Sequence, residues 1–199
     1  MKLLIGTTNG GKLRELERLL AGLDLELISL RDLPGAPEIE EDADTYEGNA
    51  RKKAVTLARW SGLATLADDS GLEVDALGGA PGVRSARYAG PGHDDAANRR
   101  KLLTALQGVA DCDRSARFKA VIVVARPEGP TVDAAGVCEG RILRLERGSG
   151  GFGYDPLFLN EPDGQTMAEL AEGRKDEISH RGRAVAALCP RLLAFLKGS

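Results

Sequence analysis

Apolar and polar positions along the chain follow two periods, and the switches between them outline a mixed α/β protein. Lys2 to Ile5 is a short apolar run that reads as a buried strand, and Gly6 to Gly11 is a turn. From Lys12 to about Gly22 the apolar residues Leu13, Leu16, Leu19, Leu20 and Leu23 fall on one stripe, which predicts a helix. Leu25 to Leu30 alternates and reads as a second strand, and Pro34 to Glu47 is an acidic loop. Asn49 to Trp60 predicts a helix with Ala50, Ala54, Leu57 and Ala58 inward. Leu63 to Ala67 is an apolar strand expected to end where Asp68-Asp69-Ser70-Gly71 begins. Asp94 is a natural N-cap for a helix reaching Leu106.

In the second half, Phe118 to Ala125 is strongly β-like, and Pro127-Glu128-Gly129-Pro130 is a turn. Val132 to Val137 returns, with room to continue toward Leu145. Pro156 to Leu159 reads as a short strand, and Ala184 to Leu196 as a helix with a kink expected at Pro190. Parallel units come early and a hairpin comes late. Glycine clusters at 78–82, 90–92 and 148–153 mark loops, and no long linker interrupts the chain. All 199 residues are therefore taken as one domain, large enough to bury its own core.

Composition narrows the classes. At 42% hydrophobic and 29% charged, the chain is globular rather than disordered. A formal net charge of −3 gives no general attraction to nucleic acid or anionic lipid, so neither nucleic acid nor membrane is an expected partner. Cys112, Cys138 and Cys189 are widely spaced and read as reduced thiols, and two histidines argue against a His-rich metal site. The run Leu3-Leu4-Ile5 is too short for a signal peptide, so a cytoplasmic location is expected.

Three stretches carry candidate chemistry. Gly6-Thr7-Thr8-Asn9-Gly10-Gly11-Lys12 lies between a strand and a helix. Its glycines admit close approach, helix-start amides favour an anion, and Lys12 adds charge, so a triphosphate suits it. The spacing nearly matches a P-loop, but Leu13 stands where that motif needs a hydroxyl. An ordinary capped turn remains open. Asp68 and Asp69 are adjacent acids that repel unless a cation bridges them, and Mg²⁺ engages one or two carboxylates plus phosphates. The acidic loop, with Glu38, Glu40, Glu41, Asp42, Asp44 and Glu47, offers further ligands or simply a solvated face.

The third stretch lies late in the chain. Phe152 and Tyr154, among Gly150, Gly151 and Gly153, suggest a platform for a base, with Asp155 accepting from it. Packing at a strand entry is the alternative. Lys175, His180 and Arg181 gather donors before the last helix, where Ser179 is a candidate N-cap. Arg84 and Arg87 follow the 78–82 glycines and are either solvated or phosphate-facing.

Together these segments resemble the inosine triphosphate pyrophosphatase family, the non-canonical purine nucleoside triphosphate pyrophosphatases. The matching blocks are Thr7 to Lys12, Thr45-Tyr46 with Asn49-Ala50 and Lys53-Ala54, Leu66 to Leu72, Gly79 to Val83, Ser85 to Tyr88, Gly151 to Pro156 and Ile178 to Gly182. The resemblance implies hydrolysis of ITP, dITP and XTP to the monophosphate and pyrophosphate, with Mg²⁺, in a homodimer. It also implies a two-lobed α/β fold, a mixed sheet flanked by helices, with the site in the cleft between lobes. By position, Asp69 looks like the proton acceptor and a metal ligand, and Glu40 the other ligand. Thr7, Thr8, Asn9, Gly10, Gly11, Lys12, Ser70, Phe152, Gly153, Tyr154, Asp155, Lys175, His180 and Arg181 look like substrate contacts. One block departs: the family's usual Glu-Asn-Ala is Gly48-Asn49-Ala50 here, and its Glu-Thr-Gly is Glu41-Asp42-Ala43. A P-loop-like phosphotransferase and a nucleotide sensor without turnover are the rival readings.

Overall fold

The strand–turn–helix expected at the start of the chain is present in a computed structural model that describes residues 1–198. β1 (Lys2–Ile5) leads into α1 (Gly10–Leu20), followed by β2 (Glu26–Ser29), α2 (Tyr46–Ser61), β3 (Thr65–Val74) and α3 (Asp95–Ala105). β4 (Ser115–Ala125), β5 (Thr131–Ile142), β6 (Phe158–Asn160), β7 (Gln165–Thr166), α4 (Glu172–Ile178) and α5 (His180–Lys197) complete it. The strands form one seven-stranded sheet in the order β2-β1-β3-β4-β5-β6-β7. β1 pairs parallel with β2 and with β3, whereas β6 pairs antiparallel with β5 and β7. The fold is thus α/β with a mixed sheet flanked by helices. Among the described residues no helix is long and apolar enough to cross a membrane.

The chain divides into two compact units. The first holds Met1–Asp69, Ala120–Gly136 and the residues from His180 onward; the second holds Ser70–Lys119 and Val137–Ser179. In the first unit, Leu13, Leu16 and Leu20 of α1 and Ala184, Val185, Leu188 and Leu192 of α5 share a core with Leu3, Ile5, Leu66 and Ile122 of the sheet. Ala50, Ala54 and Ala58 of α2 pack with Ala67, Val123 and Ala125. Since side chains alternate along a strand, α1 and α5 cover one face and α2 the other. Small alanines let α2 approach closely, and each fully buried leucine on the α1 side contributes about 1.5–3 kcal/mol relative to exposure. Gly6 is required by that closeness: a Cβ there would lie 2.9 Å from Leu57 Cδ1 and 3.2 Å from Leu66 O.

The second unit has its own core of Leu72, Val74, Leu102, Leu106, Phe118, Tyr154 and Phe158. The rings of Phe118 and Phe158 are 4.4 Å apart. α3 starts at its expected cap, the Asp94 carboxylate accepting from Ala97 N at 2.9 Å. The β4–β5 turn closes as expected, with Arg126 N donating to Pro130 O at 3.0 Å.

Three expectations change. β3 does not end at Ala67 but runs to Val74, so Asp68-Asp69-Ser70-Gly71 lie inside a strand. Nearby cations hold Asp68 ionised, and Lys53 and the Asn49 amide meet Asp69 without fully offsetting its burial, which is how both acids sit in a strand interior. The last helix begins at His180 and continues past Pro190 to Lys197. Residues 172–178 form α4, which escapes pattern reading because only Lys175 and Ile178 are buried, so no apolar stripe exists. Ser179 closes α4, its N donating to Lys175 O at 2.9 Å.

Candidate active site

In the first unit the glycine turn is organised by Asn9. Its side-chain Oδ1 accepts from Gly11 N at 2.8 Å and from Lys12 N at 3.0 Å. Two of the helix-start amides expected to await an anion are therefore already capped. What remains for an anion is Lys12 and the exposed turn, where Thr8 and Asn9 face solvent. Lys12 Nζ lies 3.2 Å from Asp68 Oδ2.

Asp68 is almost fully enclosed. Its Oδ2 accepts from Arg181 Nε at 3.2 Å and Nη2 at 2.9 Å, and Arg181 Nη1 in turn pairs with Glu15 of α1. Burial opposes ionisation of Asp68, but Lys12, Arg181 and Lys53 outweigh it and hold the carboxyl well below the usual range. Burial also opposes the charge on Arg181, and Asp68 and Glu15 reverse that, leaving its pKa raised. Lys12 goes the other way: burial lowers it, and Asp68 only partly offsets the drop.

Asp69 stands among different partners. Its Oδ2 accepts from Asn49 Nδ2 at 3.1 Å, and its Oδ1 lies 3.7 Å from Lys53 Nζ. Lys53 also pairs with Glu41 at 2.6 Å. Burial pushes the Asp69 pKa up, Lys53 and Lys12 pull it down, Glu41 adds to the rise, and the net direction is up. For Lys53, burial works against the charge, but Asp69, Asp68 and Glu41 raise it overall. Glu40 is exposed on the same loop, one residue from Glu41. Hard oxygen donors for a divalent cation thus centre on Asp69, with Glu40 and Glu41 on the adjoining loop. Among the described residues no cluster of three or more His, Cys, Asp or Glu side chains forms a metal cage.

The second unit holds Ser70 and the late elements. Asp155 Oδ2 accepts from Phe152 N at 2.9 Å and from Lys175 Nζ at 2.6 Å. Lys175 Nζ sits 5.4 Å from the Phe152 ring centroid. Gly151, at φ +69°, is obligatory: a Cβ would fall 2.0 Å from Asp155 Oδ2. Gly153 N donates to Asp95 Oδ2 at 2.8 Å and its carbonyl accepts from Arg99 at 2.8 Å. Asp155 is therefore engaged in fixing Phe152 and Lys175. Tyr154 is not a platform but part of the core, its hydroxyl donating to Ser85 O at 2.9 Å. Burial pushes its phenol pKa up. Phe152 is the half-exposed aromatic of the pair.

The structure thus groups Lys12, Asp68, Asp69 and Arg181 in the first unit, where His180 is also buried. Ser70, Phe152, Gly153, Tyr154, Asp155 and Lys175 lie in the second. Asn49 and Lys53 are not among the site residues that the sequence indicates, and Glu41 is there only as one of the acidic-loop candidates. The spacing of Asn49 and Lys53, four apart on one helix face, was the signal that could have found the first two.

The matching family model is that of the Ham1 family and covers residues 3–191. The chain belongs to the Ham1 family. Among Ham1 relatives it is similar to, the dITP/XTP pyrophosphatase of Desulforamulus reducens is 52% identical over 185 residues, spanning 93% of this chain and 92% of the relative. That of Exiguobacterium is 48% identical with both chains covered in full. A solved HAM1 protein from Coxiella burnetii matches with a TM-score of 0.87 at 41% identity, covering 98% of this chain and 99% of its own. A nucleoside-triphosphatase / dITP/XTP pyrophosphatase from Mycobacterium abscessus matches at 0.76 with 46% identity, covering 96% and 100%. The resemblance read from the sequence blocks therefore stands.

Proposed function

We propose that this Ham1 protein hydrolyses non-canonical purine nucleoside triphosphates, ITP, dITP and XTP, to the monophosphate and pyrophosphate. The observation that carries the reading is the split between Asp68 and Asp69. Environments that drive neighbouring carboxyls in opposite directions separate a fixed anion from a proton acceptor. Asp68 is the fixed anion that holds Lys12 and Arg181. Asp69, raised by burial, is the better acceptor for the proton of an attacking water. Lys12 and the Thr7–Gly11 turn take the phosphates.

The donor set fits Mg²⁺. Asp69 is a buried carboxylate whose burial Lys53 and Lys12 do not offset, so a further cation is accommodated beside it. Asp69 and an acidic-loop carboxylate, Glu40 or Glu41, would hold it. When bound there, Mg²⁺ would supply neutralisation of the charge that develops on the phosphates.

Phe152 offers a face for the base, and Lys175 a donor for an oxygen at purine position 6. Adenine presents an amino group there and leaves a buried donor facing a donor, a mismatch that discriminates strongly. Guanine shares the oxygen, so its rejection rests on contacts near position 2. A phosphotransferase of P-loop type is disfavoured because Leu13 is a core residue of α1. A homodimer acting in the cytoplasm completes the proposal and rests on the resemblance; light scattering in solution tests the dimer.

The deciding experiment is Mg²⁺-dependent pyrophosphate release from ITP, dITP, XTP, ATP and GTP in parallel. The first three are the expected substrates. Equal rates on ATP remove the selectivity claim, and orthophosphate as sole product removes the reaction claim.

A further inference from the structure

The acidic loop and the Asp69 carboxylate meet at one carboxamide. Asn49, in the first turn of α2, has no solvent exposure. Its Oδ1 accepts from Ala43 N at 3.0 Å, and its Nδ2 donates both to Ala43 O at 3.3 Å and to Asp69 Oδ2 at 3.1 Å. Only this orientation of the amide works: turned over, its oxygen would face two other oxygens. The three contacts use the oxygen and both amide hydrogens, and they hold loop backbone, helix and carboxylate in one piece.

The two departures from the family blocks lie at this same place. A Cβ on residue 48 would come within 2.8 Å of Ala43 Cβ and 3.1 Å of Thr45 Oγ1. Thr45 Oγ1 is itself fixed, accepting from Gly48 N at 3.1 Å as the cap of α2. The methyl on Ala43 and the missing side chain of Gly48 are therefore complementary. With a larger residue at 48, Ala43 has to move, and with it the backbone that Asn49 grips.

We infer that Asn49 is a positioning residue for the hydrolysis: it aims the Asp69 carboxylate and ties it to the acidic loop, and the Ala43–Gly48 pair is what lets that loop close on it. The inference rests on the role proposed above for Asp69. Asn49 touches no reacting atom and acts through Asp69, as partners of ligating carboxylates do.

The test compares Asn49→Ala, Asn49→Asp, Gly48→Glu and Ala43→Gly/Gly48→Glu with wild type, measuring kcat and KM for ITP with Mg²⁺ and thermal melting without it. Asn49→Asp keeps the volume but replaces the donor with an oxygen. Both Asn49 variants are expected to lose kcat by about 10–100-fold with KM for ITP unchanged. Gly48→Glu should lower kcat, and adding Ala43→Gly should restore it. A folded Asn49 variant with wild-type kcat overturns the inference, as does a loss confined to KM. If neither Asn49 variant folds, the Gly48 pair decides: no loss in the single variant, or no rescue in the double, overturns it. Asp69→Asn, run alongside, separates the two claims. If Asp69→Asn retains turnover, the proposed role of Asp69 falls. If it is inactive while Asn49 variants are normal, only the positioning claim falls.

Discussion

Asp68 and Asp69 are adjacent in sequence but project to opposite faces of β3. Asp68 follows the parity of Leu66 and meets Lys12 of α1 and Arg181 of α5, and Asp69 follows Ala67 and meets Asn49 and Lys53 of α2. Strand alternation accounts for this, and it changes the electrostatic problem. A bridging cation is not needed to keep the two carboxylates apart, because Lys12 and Arg181 contact one and Lys53 contacts the other, each from its own side of the sheet. One face then holds an anion ionised, and the other leaves an acid under-compensated.

Because the two faces differ, the two amide substitutions should fail differently. Asp68→Asn removes the principal partner of the buried Arg181 and of Lys12. Breaking one side of a buried ion pair costs about 3–5 kcal/mol, so this variant should melt well below wild type. Asp69→Asn should stay folded and lose about 10²–10⁴-fold in kcat, the usual worth of a general base, or more with the metal ligand gone. Melting curves and pyrophosphate release on the same preparations check both. A stable, inactive Asp68→Asn beside an active Asp69→Asn would reverse the assignment.

The raised pKa of Asp69 has a consequence for stability. A carboxyl whose folded pKa exceeds its ordinary value of 3.8 binds its proton more tightly in the folded state. Its stabilising contribution is complete below that ordinary value and is lost as pH rises through the folded pKa. At neutral pH the ionised Asp69 therefore costs stability. Without metal or nucleotide, Asp69→Asn should melt higher than wild type near pH 7, and the gap should close as pH falls below about 4. Melting temperatures across that range decide it, and a gap that is constant with pH would contradict the burial argument.

Local pattern accounts for much of the first unit and for the start of α3. The leucine stripe of α1, the alanine face of α2 and the cap of α3 follow from spacing alone, and all three are buried or bonded as expected. What escaped depends on pairing at a distance. Nothing near Asp68 in sequence says that Arg181, 113 residues later, will neutralise it and keep β3 extended through the acids. Tyr154 and Phe152 look equivalent among their glycines, yet only a partner such as Ser85 O decides which one turns inward. α4 has too few buried residues to show a period.

The acidic loop presents a choice between two neighbouring carboxylates, of which the family resemblance implies Glu40 as the ligand. Glu41 is the carboxylate paired with Lys53 and acting on Asp69, whereas Glu40 is exposed one residue away. Comparing Glu40→Gln with Glu41→Gln separates a metal ligand from a charge that positions Lys53. The ligand variant should raise the Mg²⁺ concentration for half-maximal rate about 10-fold or more, while the other should change kcat with little change in that concentration. Titrating Mg²⁺ at saturating ITP reads both. No shift in either variant would leave Asp69 as the protein's sole carboxylate ligand.

The late aromatics give the last test. Tyr154→Phe deletes a buried hydroxyl and strands the Ser85 carbonyl it serves, which costs about 1–3 kcal/mol. It should lower the melting temperature while leaving KM for ITP unchanged, because the ring is core rather than platform. Phe152→Ala should do the opposite. Its half-exposed ring contributes less to folding, and loss of a stacking face costs about 1–3 kcal/mol of base binding, or roughly 5–150-fold in KM. Lys175→Met should follow Phe152→Ala on ITP but reduce the preference over ATP as well, since it removes the donor proposed for the 6-oxygen. Steady-state constants for ITP and ATP, set beside melting curves for the three variants, resolve the roles. A raised KM in Tyr154→Phe with unchanged melting would put the tyrosine, not the phenylalanine, against the base.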